Sequence, residues 1–193
     1  MSTVFTHMTM SLDGFIADPH DGIDDIFDWY AAGDVEVPSA NEGVSLRVDE
    51  ASAVMLRDLT GRTGALVAGR RLFDITDGWG DSHPVGAPVV VVTHRPPQDA
   101  DRWPRTTFAG DVATAVATAR EIAGDQDVTI ASADVAQQAL VLGLVDEVCV
   151  SLAPVLLGEG ISYFASLGRR ILLEDPEVVQ GRRAVHLRYP VRR

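Results

Sequence analysis

The sequence contains no lysine: its 16 basic residues are all arginines, set against 28 aspartates and glutamates. Without an ε-amino group there is no Schiff-base chemistry, and no P-loop, whose Gly-Lys-Ser/Thr corner is missing. A phosphate held by a side-chain cation is then held by arginine, whose planar fork suits the task. The net charge of −12 argues against a nucleic-acid partner, which asks for a basic face. Cysteine is reduced to Cys149, so a disulfide framework and a cysteine-rich metal site are excluded, and a reducing, cytoplasmic setting is expected. No apolar run approaches the ~20 residues of a membrane helix and no signal-peptide pattern opens the chain, so no membrane partner is expected. A Gly-x-Ser-x-Gly elbow is missing, which removes an α/β hydrolase. "DPHDGIDD" (18–25) lacks the Asp-x-Asp-x-Asp-Gly spacing of a calcium loop, so no metal is expected.

There is also no repeat, low-complexity tract or linker, so residues 1–193 read as one domain. Its 46% hydrophobic and 23% charged residues are those of an ordinary globular chain. "TVFTHMTM" (3–10) reads as a first strand running into "SLDGFIA". An acidic stretch between Asp18 and Glu36, containing Trp29 and Tyr30, reads as a long, partly ordered loop. "VDEASAVMLRDLTG" reads as a helix with Ala51, Val54, Met55 and Leu59 on one face, stopped by Gly61. "GALVAG" (64–69), "PVVVVT" (88–93) and "DVTIA" (127–131) are buried strands of the parallel-sheet kind. Asp111 caps a helix with a stripe of Val112, Val116, Ala119 and Ile122, closed by Gly124. A further helix spans Val135–Leu142, and "EVCVSLAPVLL" and "RRAVHLRYPVR" are closing strands. In the last, Val185, Leu187, Tyr189 and Val191 face one way, His186 and Arg188 the other. The pattern predicts an α/β fold: a mostly parallel central sheet with an antiparallel C-terminal edge and helices on both faces.

In such sheets ligands bind beyond the carboxyl ends of the strands. The residues there are Gly69-Arg70-Arg71, Thr93-His94-Arg95 and Ala131-Ser132-Ala133. Two of these three corners are cationic, which makes an anion site assembled from separate loops. Cations are disfavoured at a helix start, so the Arg70–Arg71 pair asks for an anion nearby. Arginine also suits bidentate contact with a phosphate.

"MSLDGFIA", "GALVAGRRLFD", "PVVVVTHR", "DVTIASADVAQQAL" and "GLVDEVCVSLAPVLLGEGISYF" follow one another along the chain. Together they resemble the dihydrofolate reductase-like fold, in particular the C-terminal reductase domain of the bifunctional riboflavin-biosynthesis deaminase–reductase. No His-x-Glu or Pro-Cys-x-x-Cys of the deaminase half occurs, so a stand-alone member is expected. Residues 18–48 read as an inserted acidic loop. The resemblance implies an NADPH-dependent reductase, commonly a homodimer, acting on a small planar heterocycle, pyrimidine- or pterin-like. The family activity is 5-amino-6-(5-phosphoribosylamino)uracil reduction, but no further basic cluster is evident for that substrate's phosphate.

By the same resemblance, Gly69, Arg70 and Arg71 receive the adenosine 2′-phosphate, and Thr93, His94 and Arg95 flank it. Ala131, Ser132, Ala133, Asp134 and Val135 form the turn that meets the pyrophosphate. Thr9 and Ile16 lie beside the nicotinamide, and Asp13, Ser151, Gly158, Glu159 and Gly160 border the substrate. The family's glycine pair is replaced by Ala131-Ser132. Glycine matters there only if φ is positive or a Cβ meets the pyrophosphate. Asp134 repels a phosphate unless it caps the helix, and Asp13 doubles as a turn residue. Trp29 reads either as a stacking ring on a lid or as part of a solvated loop. Asp49 and Glu50 read as helix-start carboxylates, and no residue is assigned as proton donor. The competing reading is a catalytically degenerate nucleotide- or flavin-binding dimer, favoured by the glycine-free turn.

Overall fold

The buried apolar runs become the middle of one sheet. A computed structural model describes residues 2–165 and 167–192. Its strands are β1 (Val4–Ser11), β2 (Val35–Val37), β3 (Leu46–Val48), β4 (Thr63–Gly69), β5 (Val89–Val92), β6 (Thr106–Ala109), β7 (Asp127–Ile130), β8 (Glu147–Ala153), β9 (Glu177–Gln180) and β10 (Val185–Pro190). Eight of them form a sheet in the order β6-β5-β4-β7-β1-β8-β10-β9, while β2 and β3 pair as a separate ribbon. β6 through β8 run parallel in that order, and β10 joins β8 antiparallel, with β9 antiparallel to β10.

The helices are α1 (Asp24–Phe27), α2 (Glu50–Arg62), α3 (Arg70–Ile75), α4 (Val112–Ala123) and α5 (Ala133–Val141). Strand alternation sends Val4, Val67, Val90 and Ile130 to one face, into a core with α4 and α5. Phe5 and Cys149 meet Leu59 of α2 on the other face, where Leu66, Ala68, Val89 and Val91 meet Phe73 of α3 and Trp103. Helices therefore cover both faces, as parallel strands require. No helix among the described residues is long and apolar enough to cross a membrane.

Several boundaries differ from the sequence pattern. α2 buries Ser52, Ala53, Leu56 and Leu59 and leaves Val54 58% exposed. Of the expected Ala51–Val54–Met55–Leu59 face, Leu59 is buried and Met55 packs against the core, while Val54 points outward and Ser52 turns in toward His186. In α4 the expected Val112–Val116–Ala119 stripe is buried, but Ile122 points outward and Ala115 and Ala123 take its place. α5 begins two residues earlier than expected, with Ser132 rather than Asp134 before its first turn.

The 18–48 insertion is more ordered than a loop, with α1, a 3₁₀ turn over Asp28–Ala31 and the β2–β3 ribbon joined by irregular segments. Ile26 and Trp29 point inward while Asp24, Asp25 and Asp28 face solvent, so its acidity is only its outer surface. Trp29, 1% exposed, joins Val37, Leu46, Val48, Ala53 and Leu56 in a core of its own.

Candidate functional site

Two connections leave the sheet in opposite directions at the β4/β7 boundary. From β4 the chain turns through α3 to β5, and from β7 through α5 to β8 on the far side of β1. Such a switch point leaves a crevice at the strand ends. Gly69 stands on one wall and Ser132 on the other. Ser132 Oγ accepts a hydrogen bond from Gly69 N at 2.9 Å, and a Cβ on Gly69 would lie 3.3 Å from Val135 Cγ2. Ser132 adopts φ +85° and ψ 137°, a conformation suited to glycine. Its side chain caps no amide of α5, so the first-turn amides of Ala133, Asp134 and Val135 stay open to an anion. Ala131, Ala133 and Val135 are buried, so any contact there is through backbone. Asp134 faces outward and accepts from Gln138 Nε2 at 2.7 Å. Its carboxylate is turned along the helix and is not the N-cap.

The cationic corner forms beside this crevice. Arg70 spans the two loops: Nε reaches Asp74 at 2.7 Å, and a guanidinium N–H is donated to the carbonyl of Arg95. Thr93 Oγ1 accepts Arg95 N at 3.1 Å and shapes that turn. Arg71 forms a fork with Asp21, at 3.0 and 2.8 Å, tying α3 to the loop after β1. His94 lies near Asp111, whose carboxyl Thr114 N holds below the usual range, with His94 adding to the effect. Among the described residues Arg95 has no carboxylate partner.

The substrate-side residues divide. Asp13 accepts Ser11 Oγ at 2.6 Å, Leu157 N at 3.1 Å and Gly158 N at 2.7 Å. The Ser11 bond leads in holding its carboxyl below the usual range. Asp13 keeps the local turn contacts expected of it, to Ser11 and to its own backbone, and also clamps the 154–160 loop onto the end of β1. Gly160, at φ +151°, lies so close to Ala17 that a Cβ would sit 2.1 Å from its carbonyl oxygen. Glu159 is exposed on the outside of this loop. Thr9 and Ile16 are 1% and 8% exposed, and Thr9 Oγ1 accepts Trp29 Nε1 at 3.4 Å. Trp29 is thus neither a solvated loop residue nor an open stacking ring.

Ser151 is fully buried, with Oγ 3.1 Å from His7 Nε2 and 2.8 Å from His186 Nδ1. Burial lowers His186 to about 4, and Asp49 opposes that shift. Burial, helped by His186 and Arg62, lowers His7 to about 3. Sequence reasoning did not single out His7 or Ser52. The available signal was polar residues at inward positions: His7, Thr9, Ser151 and His186 alternate onto the α2 face. Burial pushes the Cys149 thiol up to about 12, which leaves it unreactive. No group of three or more metal-ligating side chains occurs among the described residues.

The RibD C-terminal domain family model matches residues 2–187. A protein from Shewanella sp. PV-4 assigned to riboflavin biosynthesis superposes with TM-score 0.69 at 25% identity, covering 99% of both chains. The riboflavin biosynthesis reductase of Saccharomyces cerevisiae gives TM-score 0.63 at 12% identity, over 99% of this chain and 90% of that one. The Thermotoga maritima diaminohydroxyphosphoribosylaminopyrimidine deaminase/5-amino-6-(5-phosphoribosylamino)uracil reductase gives 0.61 at 13% identity, over 99% of this chain and 57% of that one. The chain spans little more than half of that bifunctional relative. No curated protein matches the sequence.

Proposed function

The chain belongs to the RibD C-terminal domain family, and on that premise we propose that it is an NADPH-dependent reductase of a planar, pyrimidine- or pterin-like heterocycle. One observation carries the reading: the Arg70–Arg95 corner stands beside the uncapped start of α5 at the switch point. Arg95 and Arg70 would hold the 2′-phosphate, and the amides of Ala133–Val135 the pyrophosphate. The cofactor, when bound, would supply a hydride to an electron-poor C=N carbon of the substrate, in the ring of a pterin or at the sugar carbon of an opened ribosylamino group. The protein's part is to hold the nicotinamide and that carbon at about 3–3.5 Å and keep water out. The Asp13 clamp on the 154–160 loop and the buried face around Thr9 serve that end.

The substrate class rests on the heterocycle, not on a phosphate. The remaining arginine-rich groove, about 440 Å³ and lined by Arg169, Arg170 and Arg192, lies by Val145, before β8 begins. That is the opposite end of the sheet from the cofactor corner, so it does not serve a phosphoribosyl group held at the site. A homodimer belongs to the same reading, supported by exposed Val141, Leu142 and Leu172, and light scattering tests it.

The function is tested by following reduced-nicotinamide absorbance with 5-amino-6-(5-phosphoribosylamino)uracil and with its dephosphorylated ribosylamino counterpart. Turnover of either supports a reductase, and preference for the second supports the substrate class. NADPH bound without turnover of either rejects the pyrimidine assignment, whereas failure to bind NADPH rejects the reductase reading altogether.

A further inference from the structure

The loop that leaves β1 is fastened at its root on one side of the crevice and at its tip on the other. The root is zipped onto the chain beyond β8. Leu12 N donates to Val155 O at 2.8 Å, Ile16 N to Ile161 O at 2.9 Å, Ile161 N to Ala17 O at 2.9 Å and Tyr163 N to Gly14 O at 2.9 Å. Gln137 of α5 donates in turn to the carbonyls of Ser162 and Tyr163, at 3.3 and 3.0 Å. Ile16 and Tyr163 are buried in the same core as Ala133 and Val135 of α5. The root is therefore fixed on the α5 side of the sheet.

The tip belongs to the other side. In the order β4-β7-β1 the end of β7 lies between the end of β1 and the start of α3. Asp21 nonetheless reaches Arg71 of α3 in its two-point contact, at 3.0 and 2.8 Å. Through Phe73, α3 packs on the face opposite α4 and α5. Residues 17–21 thus pass over the rim of the sheet at the switch point, beside the first-turn amides of α5. The two fastenings are unequal. The tip itself is a closed turn: Asp18 N donates to Gly22 O at 2.9 Å, and Asp18 Oδ1 accepts His20 N at 2.7 Å and Gly22 N at 2.8 Å. Asp21 stands in it at φ +65°, a conformation that Asp and Asn tolerate. Among the described residues the only hydrogen-bonded tie from this turn to α3 is the Arg71 fork. That ion pair is exposed on the arginine side, and pairs of that kind are weak.

A stiff tip on a firm root, held by one weak tie, is built to swing rather than to unfold. We propose that residues 17–22 are a strap latched across the cofactor crevice, with the Asp21 carboxylate standing at Arg71 in place of a phosphate, so that the latch has to open before a nicotinamide nucleotide enters or leaves. The contact is autoinhibitory. A nucleotide with a 2′-phosphate competes with Asp21 for Arg71, whereas one without it meets the strap only as a gate. The identity of the ligand rests on the reductase reading; the latch itself is a property of the ligand-free protein.

The test combines amide hydrogen exchange on the ligand-free protein with stopped-flow binding of NADH and NADPH. It compares the wild type with Asp21→Asn, Arg71→Gln and the double variant; Asn keeps the positive φ and removes the charge. The amides of Ala133 and Val135 have no intrahelical partner, and are expected to exchange about two- to fivefold faster once the latch is cut from either side. NADH is expected to associate and dissociate faster by the same factor with its affinity unchanged, and the double variant to match either single one. NADPH separates the two substitutions: Asp21→Asn tightens its binding and Arg71→Gln weakens it, although both open the strap. Unchanged exchange at Ala133 and Val135 in Asp21→Asn overturns the strap, as do additive effects in the double variant. A change in NADH dissociation without one in association places Asp21 against the nucleotide and overturns the gate. The predicted exchange with no binding of either nucleotide upholds the latch and rejects the reductase reading.

Discussion

Ser132 reaches across the β4/β7 crevice to accept the amide hydrogen of Gly69 at 2.9 Å, while its own backbone sits at φ +85°. The conformation that favours glycine has been kept and the glycine has not. A left-handed residue costs roughly 1–2 kcal/mol, and one hydrogen bond returns about 1 kcal/mol. Ser132→Gly is therefore expected to change stability by less than about 1 kcal/mol, since it loses both. It also frees the Gly69 amide and is expected to tighten NADPH binding several-fold. Ser132→Ala keeps the strain, loses the same hydrogen bond, and is expected to cost about 1 kcal/mol. Urea melts and cofactor titrations check both.

Arg71 is committed to Asp21 in a two-point contact that a cofactor phosphate must displace or share. The pair is largely exposed on the arginine side, so its worth is small. Asp21→Asn is expected to strengthen NADPH binding by roughly two- to fivefold, and to change NADH binding little. Equal gains for both cofactors would show that Arg71 does not face the 2′-phosphate.

Trp29 holds the inserted segment to the sheet through its packing, its bond to Thr9 and an edge-to-face contact with His186, with ring centroids 4.9 Å apart. Trp29→Ala is expected to cost about 3–5 kcal/mol, read from the denaturation midpoint at constant slope. A cost below about 1 kcal/mol would contradict its place in a core.

The central sheet was legible because β4, β5 and β7 are short apolar runs between glycines, prolines and caps. The Asp111 cap, with Oδ1 2.8 Å from Thr114 N, and the Gly124 stop at φ +60° are equally local signals. What escaped was decided by tertiary structure. β6 and β9 are four-residue edge strands with weak alternation, recognisable only once a neighbour pairs with them. The 18–36 stretch hid Trp29 among acids that belong to its outer surface. The cofactor corner could be placed from strand ends alone, but its internal pairing could not: Arg71 with Asp21 spans fifty residues. The Ser52–His186 contact was least visible, because Ser52 reads as an interruption of a helix stripe until His186 is seen beside it.

The buried histidines also set a pH dependence. Burial lowers His186 and His83 to about 4 and His7 to about 3, all from 6.5. Their folded values lie below the unfolded one, so the unfolded chain takes up protons first as pH falls. Stability is therefore full above about pH 6.5 and declines toward the folded values near 4. Urea midpoints should fall steadily over this window, before most carboxylates titrate. A flat midpoint across it would mean that the rings are not buried in their neutral form.

The most direct measurement of the central claim is a titration of the purified protein with NADPH and with NADH, repeated on Arg95→Ala. The account predicts that NADPH binds more tightly than NADH, and that the substitution weakens NADPH by about ten- to a hundredfold while leaving NADH nearly unchanged. Equal affinity for the two cofactors, or equal losses in the variant, would contradict a 2′-phosphate site at the Arg70–Arg95 corner.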